Sequence, residues 1–304
     1  MPGPTPPVDP ELASLAEPGP PRGTPTLDEL RRDGDFLIEE RRASVRGPAP
    51  DVPVLVCRPA EAAGRLPVLL LPHGGGPRVG PPRRNLAYYL RLARELNAAV
   101  VAVAPRSAPD HLHPAASEDC LTVMTWLSAC AHDLAMDTER VVLLGLGSAG
   151  TLAGGLALRL RDRLDLRPLG QMLLSPVLDD RTGTASAARP APPGTGAPRT
   201  DEDARVHARG DLRGTSDVPP YAAPARAEDL SGLPPAYLEV GALDILRDEV
   251  VTYAQRVWAA GGDAELHVWA GAFYGFDFLA PAAALSRRAR ATRLDWLRRI
   301  LIRS

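Results

Sequence analysis

Two glycine-rich stretches hold the residue types that could do chemistry. The first is Gly145-Leu146-Gly147-Ser148-Ala149-Gly150, entered from Val141-Val142-Leu143-Leu144 and left through Thr151-Leu152-Ala153. An apolar strand, a sharp small-residue turn and a helix form the arrangement that lifts a serine hydroxyl out for attack on an acyl carbon. Such a turn needs small residues two places before and two places after its apex. With Ser148 at the apex, the earlier position is Leu146, which is bulky. With Gly147 at the apex, the flanks Gly145 and Ala149 are both small, but the hydroxyl is missing. Both registers stand on the residues alone. The second stretch, His73-Gly74-Gly75-Gly76, follows the apolar run 66–71. Consecutive glycines let the backbone approach a ligand and aim N–H groups at a developing oxyanion.

The elements that must position these stretches alternate between strand and helix. Residues 52–58 and 66–71 read as strands, 83–97 as an amphipathic helix with Leu86, Leu90 and Leu96 inward, and 99–104 as a buried strand. A helix over 117–132 precedes the strand at 141–144, and a further strand is predicted at 236–240 as its neighbour in one sheet. Alternation of this kind implies a mostly parallel sheet covered on both faces, an α/β fold. Residues 1–25 are proline-rich and read as a flexible or extended arm. Thr26-Leu27-Asp28-Glu29 is an N-cap signature opening a short helix. Lid elements are expected at about 26–45 and 180–220, the second poor in large apolar residues. A helix at about 282–301 should cover the core.

Composition narrows the function classes. The chain has 304 residues, a hydrophobic fraction of 45% and a net charge of −2, which suits one large domain and offers no basic face for nucleic acid. All its basic residues are arginine. Three widely spaced cysteines, Cys57, Cys120 and Cys130, suggest reduced thiols and a cytoplasmic setting. No apolar run reaches the ~18 residues of a membrane span. No metal-ligand spacing appears, so no metal or cofactor is expected. The expected partner is a small-molecule ligand, and a homodimer is compatible with the sequence.

Several motifs in order make the chain resemble the hormone-sensitive-lipase-like branch of the α/β-hydrolases, from about residue 45 to the C-terminus. They are His73-Gly74-Gly75-Gly76, the block Pro105 to Asp110, Leu230-Ser231-Gly232-Leu233-Pro234-Pro235 before a strand, Gly241-Ala242-Leu243-Asp244 after it, and Gly271-Ala272-Phe273-Tyr274-Gly275-Phe276. The resemblance implies the α/β-hydrolase fold and an oxyanion hole from Gly74, Gly75 and the amide of Ser148. It also implies that Asp244 is the acid of a catalytic triad. The branch's elbow, Gly-Asp-Ser-Ala-Gly-Gly-Asn-Leu-Ala, laid on the chain without gaps, begins at Gly145. It places Gly147 at the nucleophile and Ser148 beside it. The branch's Gly-x-x-His-Gly-Phe meets Tyr274 where the histidine belongs.

A triad that has lost its serine or histidine loses about 10⁶ in kcat, and a phenol of pKa about 10 is a poor base near neutrality. The resulting expectation is a protein that binds or transforms a small carbonyl or acyl ligand without hydrolysis, such as a dehydratase, a cyclase or another proton-transfer catalyst. In it Tyr274 accepts orientation from a hydrogen bond to Asp244. The alternatives are a non-catalytic ligand-binding protein and a carboxylesterase using Ser148. Of the other histidines, His267 reads as structural, His111 and His113 as loop-stabilising and His132 as solvated. His207 belongs to the variable stretch 180–220.

Overall fold

Apolar residues fall on both faces of the short runs between helices, and those runs become the strands of one sheet. A computed structural model describes residues 6–15, 23–32, 34–47, 49–74, 83–108, 110–163, 166–181, 183–189 and 217–302. In chain order the elements are α1 (Pro10–Leu15), α2 (Leu27–Arg31), β1 (Phe36–Ala43), β2 (Val52–Pro59), β3 (Leu66–Pro72), α3 (Leu86–Leu96) and β4 (Ala99–Val103). Then follow α4 (Ala115–Cys130), β5 (Met136–Leu146), α5 (Ser148–Arg163), β6 (Gly170–Leu174), β7 (Ala236–Gly241), α6 (Arg247–Ala259), β8 (Ala264–Trp269), α7 (Phe276–Leu279) and α8 (Ala284–Ile302).

The eight strands make one sheet in the order β1-β2-β4-β3-β5-β6-β7-β8. β1 and β2 are antiparallel additions, and the strands from β4 to β8 run parallel. Alternate residues of the central strands feed separate cores. Val68, Leu70, Val101 and Leu143 pack with Leu156 of α5 on one face. Leu69, Val100, Val142 and Leu144 pack with Trp296 and Leu297 of α8 on the other. This two-sided burial is why β3 and β4 are apolar throughout their length and show no polar alternation.

Three expectations change. Residues 141–144 and 236–240 share the sheet, but β6 lies between them. β6 is five residues long, and its Gly170-Gln171 start hides it in the sequence. Residues 36–43, expected within a lid element, are the edge strand β1, because Phe36, Ile38 and Ala43 bury against the core while the other positions face outward. The proline-rich arm contains α1, whose Leu12 is fully buried beside Leu243, Trp269 and Phe273. Thr26 and Glu29 do form a reciprocal capping box on α2. Most of the second lid stretch, and His207 with it, lies outside the described residues. Among the described residues no helix is long and apolar enough to cross a membrane.

Candidate active site

The strand-turn-helix junction forms with Gly147 at its apex. β5 ends at Leu146, α5 starts at Ser148, and Gly147 between them has φ +60°, the left-handed region that favours glycine. Its N–H donates to Leu174 O at the end of β6 (2.9 Å), and its carbonyl accepts from Thr151 N (3.2 Å), so both neighbouring elements hold the turn. The glycines on either side of the turn leave no room for a side chain. A Cβ on Gly145 would collide with the Ala149 carbonyl, and one on Gly150 would stand 2.8 Å from Pro176 Cβ. The left-handed residue between β5 and α5 is Gly147, and Ser148 is the first residue of the helix.

The described part of the second glycine stretch, His73-Gly74, meets the first turn of α5. His73 N donates to Val103 O (2.9 Å), which ties the loop to the end of β4. Gly74 then passes so close that an added Cβ would overlap Ser148 Oγ and stand 2.7 Å from Ala149 N. Gly75 and Gly76, expected beside it, lie outside the described residues. The loop after β4 is pinned by Arg106, whose backbone N–H and guanidinium both donate to the buried carboxylate of Asp119 (2.7 and 2.8 Å). This brings part of the block Pro105 to Asp110 under control of α4.

Asp244 and Tyr274 come in from loops after β7 and β8. Asp244 is 3% exposed; its Oδ1 accepts from Leu246 N (3.1 Å), while its Oδ2 has no hydrogen-bond partner. Burial raises its carboxyl pKa to about 6, against the opposing pull of the Leu246 amide, the Ser175 hydroxyl and the Ile245 amide. Tyr274 packs against Val177, Ile245 and Leu246. Burial pushes its phenol pKa upward, and the charge of Asp244 adds to the shift. The expected hydrogen bond between the two is not formed. The phenol oxygen points instead at Gly147, where a Cβ would overlap it and would stand 3.1 Å from the ring's Cζ.

The profile of a family described as alpha/beta hydrolase fold matches residues 69–278. The chain belongs to that family, in its hormone-sensitive-lipase-like branch. Esterase LipI of Mycobacterium tuberculosis (strain ATCC 25618 / H37Rv) is 32% identical over 71% of this chain and 68% of its own. Carboxylesterase NlhH of the same strain is 31% identical over 85% of this chain and 80% of its own. Among solved structures, one titled Bacterial Heroin Esterase superimposes with a TM-score of 0.82 at 33% identity, covering 97% of this chain and 98% of that one. These matches overturn the expected non-hydrolytic role. Similarity across nearly the whole domain runs to proteins named for ester hydrolysis.

Elsewhere in this α/β-hydrolase, the described histidines lie apart from Asp244 and Tyr274. His267 pairs with Glu265 (2.9 Å) and stacks on Trp269. His113 is half-buried, with its pKa lowered by burial and by Arg159. His111 and His132 are exposed. None of the four is hydrogen-bonded to Asp244 or Tyr274. One residue near the acid escaped the sequence reading. Ser175 has φ +39° and donates its backbone N–H to Glu239 O (2.7 Å), which brings its hydroxyl beside Asp244. Its only sequence signal is a Ser-Pro pair ending the run Met172-Leu173-Leu174.

Proposed function

We propose that this chain is a carboxylic-ester hydrolase for small acyl esters, working from a triad in which glycine and tyrosine replace the serine and histidine. The observation that carries the reading is the packing of Gly74 onto Ser148 and Ala149 at the start of α5. A glycine loop pressed on a helix N-terminus beside a strand-end turn gathers backbone N–H groups around one point. An ester carbonyl placed there would have its oxygen stabilised by the amides of Gly74 and Ser148 as negative charge develops. The esterase names of the relatives support the same substrate class.

The missing imidazole sets the expected speed. Without it, a comparable site keeps on the order of 10³–10⁴ over water from its oxyanion hole and binding. The test is the release of p-nitrophenol from p-nitrophenyl acetate and butyrate by the full chain, against Ser148→Ala. We expect slow saturable turnover. Ester-dependent thermal stabilisation without product would overturn the reading in favour of a binding protein.

A further inference from the structure

We propose that Tyr274, not Ser148, supplies the hydroxyl that takes the acyl group, with Asp244 as acceptor of its proton; this rests on the ester-hydrolase reading. The first observation is the space Tyr274 fills. Gly147 is the apex of the turn and carries no side chain. The phenol oxygen stands where the Cβ of any other residue at 147 would be, with Cζ and Cε2 3.1 and 3.4 Å from that point. A strand-turn-helix junction presents its nucleophile from this spot, and here the group presented is a phenol delivered from the loop after β8.

The second observation concerns Ser148. Its Oγ lies against Gly74, on the side of the loop whose amides would hold the carbonyl oxygen. The atom that attacks the carbonyl carbon must come from elsewhere, because that flank is taken by the oxygen being stabilised. Tyr274 reaches the turn from β8, on a different element. The third observation is Asp244. Its Oδ2 is buried and has no hydrogen-bond partner, and its charge falls on Tyr274. With Oδ1 held by the Leu246 amide and the Ser175 hydroxyl beside the carboxylate, Oδ2 is the acceptor the phenol needs. Catalytic hydrogen bonds are often long in an empty site and tighten when substrate is bound.

The chemistry balances without any added reagent. Tyr274 Oη bonds to the carbonyl carbon, the carbonyl oxygen takes negative charge toward the Gly74 and Ser148 amides, and the phenol proton moves to Asp244. The bond to the alkoxide then breaks and the alcohol leaves with that proton. Water adds to the resulting aryl ester, the acid departs, and the phenol is restored. Tyrosine is an established covalent nucleophile in other enzymes, sialidases among them. An aryl ester also releases its acyl group to water more readily than an alkyl ester, so the second half needs less help from a base.

The experiment is acid-quench mass spectrometry of the full chain with p-nitrophenyl acetate, together with steady-state kinetics of Tyr274→Phe, Ser148→Ala and Gly147→Ala. Supporting results are an acetyl adduct on the peptide containing Tyr274 and a loss of kcat of about 10²-fold or more in Tyr274→Phe. Ser148→Ala keeps the backbone amide and should leave the acetyl adduct on the peptide containing Tyr274. Gly147→Ala, which keeps the phenol but displaces it, should weaken the adduct. Thermal melts of each variant separate chemistry from unfolding. An adduct on Ser148, or unchanged turnover in Tyr274→Phe, overturns the assignment and leaves the ester-hydrolase reading intact. No hydrolysis by the wild-type chain overturns both.

Discussion

Asp244 is a carboxyl group held where water does not reach it, and that placement has a thermodynamic consequence. Its pKa rises from an ordinary 3.8 to about 6 because burial penalises the charge more than the Leu246 and Ile245 amides and the Ser175 hydroxyl repay it. Between those two values the folded chain holds a proton that the unfolded chain has released. Stability from this group therefore falls as pH rises from about 4 to about 6, by about 3 kcal/mol, and levels off above that window. Asp244→Asn removes the titration. Urea midpoints measured from pH 4 to pH 8 should show a smaller decline across the window in the variant than in the wild type. Parallel curves would mean that Asp244 ionises as easily folded as unfolded. At this scale the sequence was informative about identity and poor on orientation. The motifs singled out Gly147, Asp244 and Tyr274, and the fold brings the Tyr274 phenol to Gly147. The direction of the Tyr274 phenol, toward Gly147 and without a hydrogen bond to Asp244, depended on where the loop after β8 packs, which no local pattern encodes.

At the scale of elements, long amphipathic or wholly apolar segments were legible because their periodicity carries the burial pattern. Helices α3 and α8 and strands β3 and β4 came out within a few residues. Short elements were not. β6 is five residues beginning with glycine, and α1 is six residues inside a proline-rich stretch. Each is stabilised by what it docks on, so its own propensity says little. α1 shows the point in detail. Asp9 Oδ1 caps its first turn by accepting from Glu11 N and Leu12 N (2.9 and 3.0 Å), and Asp9 N donates to Gly271 O (3.0 Å). Glu11 accepts from Ala284 N (2.9 Å) at the start of α8. Leu12 then fills a pocket made partly by Phe273, next to Tyr274. Leu12→Ala removes the anchor from a short terminal segment, so the segment should detach before the domain unfolds. Hydrogen exchange at residues 10–13 and 272–274 should accelerate, while β5 keeps its protection. Unchanged exchange at 272–274 would show that α1 only rests on the loop and does not brace it.

At the scale of the whole molecule, one buried arginine joins the sheet, the site loop and both flanking helices. Arg293 of α8 is 1% exposed. It donates to both oxygens of Glu239 on β7, to Asp277 Oδ2 on α7 (2.7 Å) and to Tyr88 Oη on α3 (3.0 Å). Tyr237 adds a hydrogen bond to Glu239 (2.7 Å). This cluster was not legible in the sequence, because its members lie on four elements far apart in the chain and its charged residues look like ordinary surface charges. Two carboxylates share the arginine; truncating it strands Glu239 and leaves Asp277 with Arg290 as its remaining cation (3.4 Å). Arg293→Met should cost about 3–5 kcal/mol in urea or guanidinium unfolding, since an unpaired buried charge is far worse than a lost ion pair. Combining it with Glu239→Gln and Asp277→Asn removes the stranded charges and should recover a large part of that cost. Asp277 sits three residues past Tyr274, so the loss should also reach the site, lowering ester turnover at temperatures where the variant is still folded. A cost under about 1 kcal/mol for Arg293→Met would mean that the carboxylates reach water or take up protons when the arginine is gone, and the cluster would then not be what fixes the site loop to the sheet.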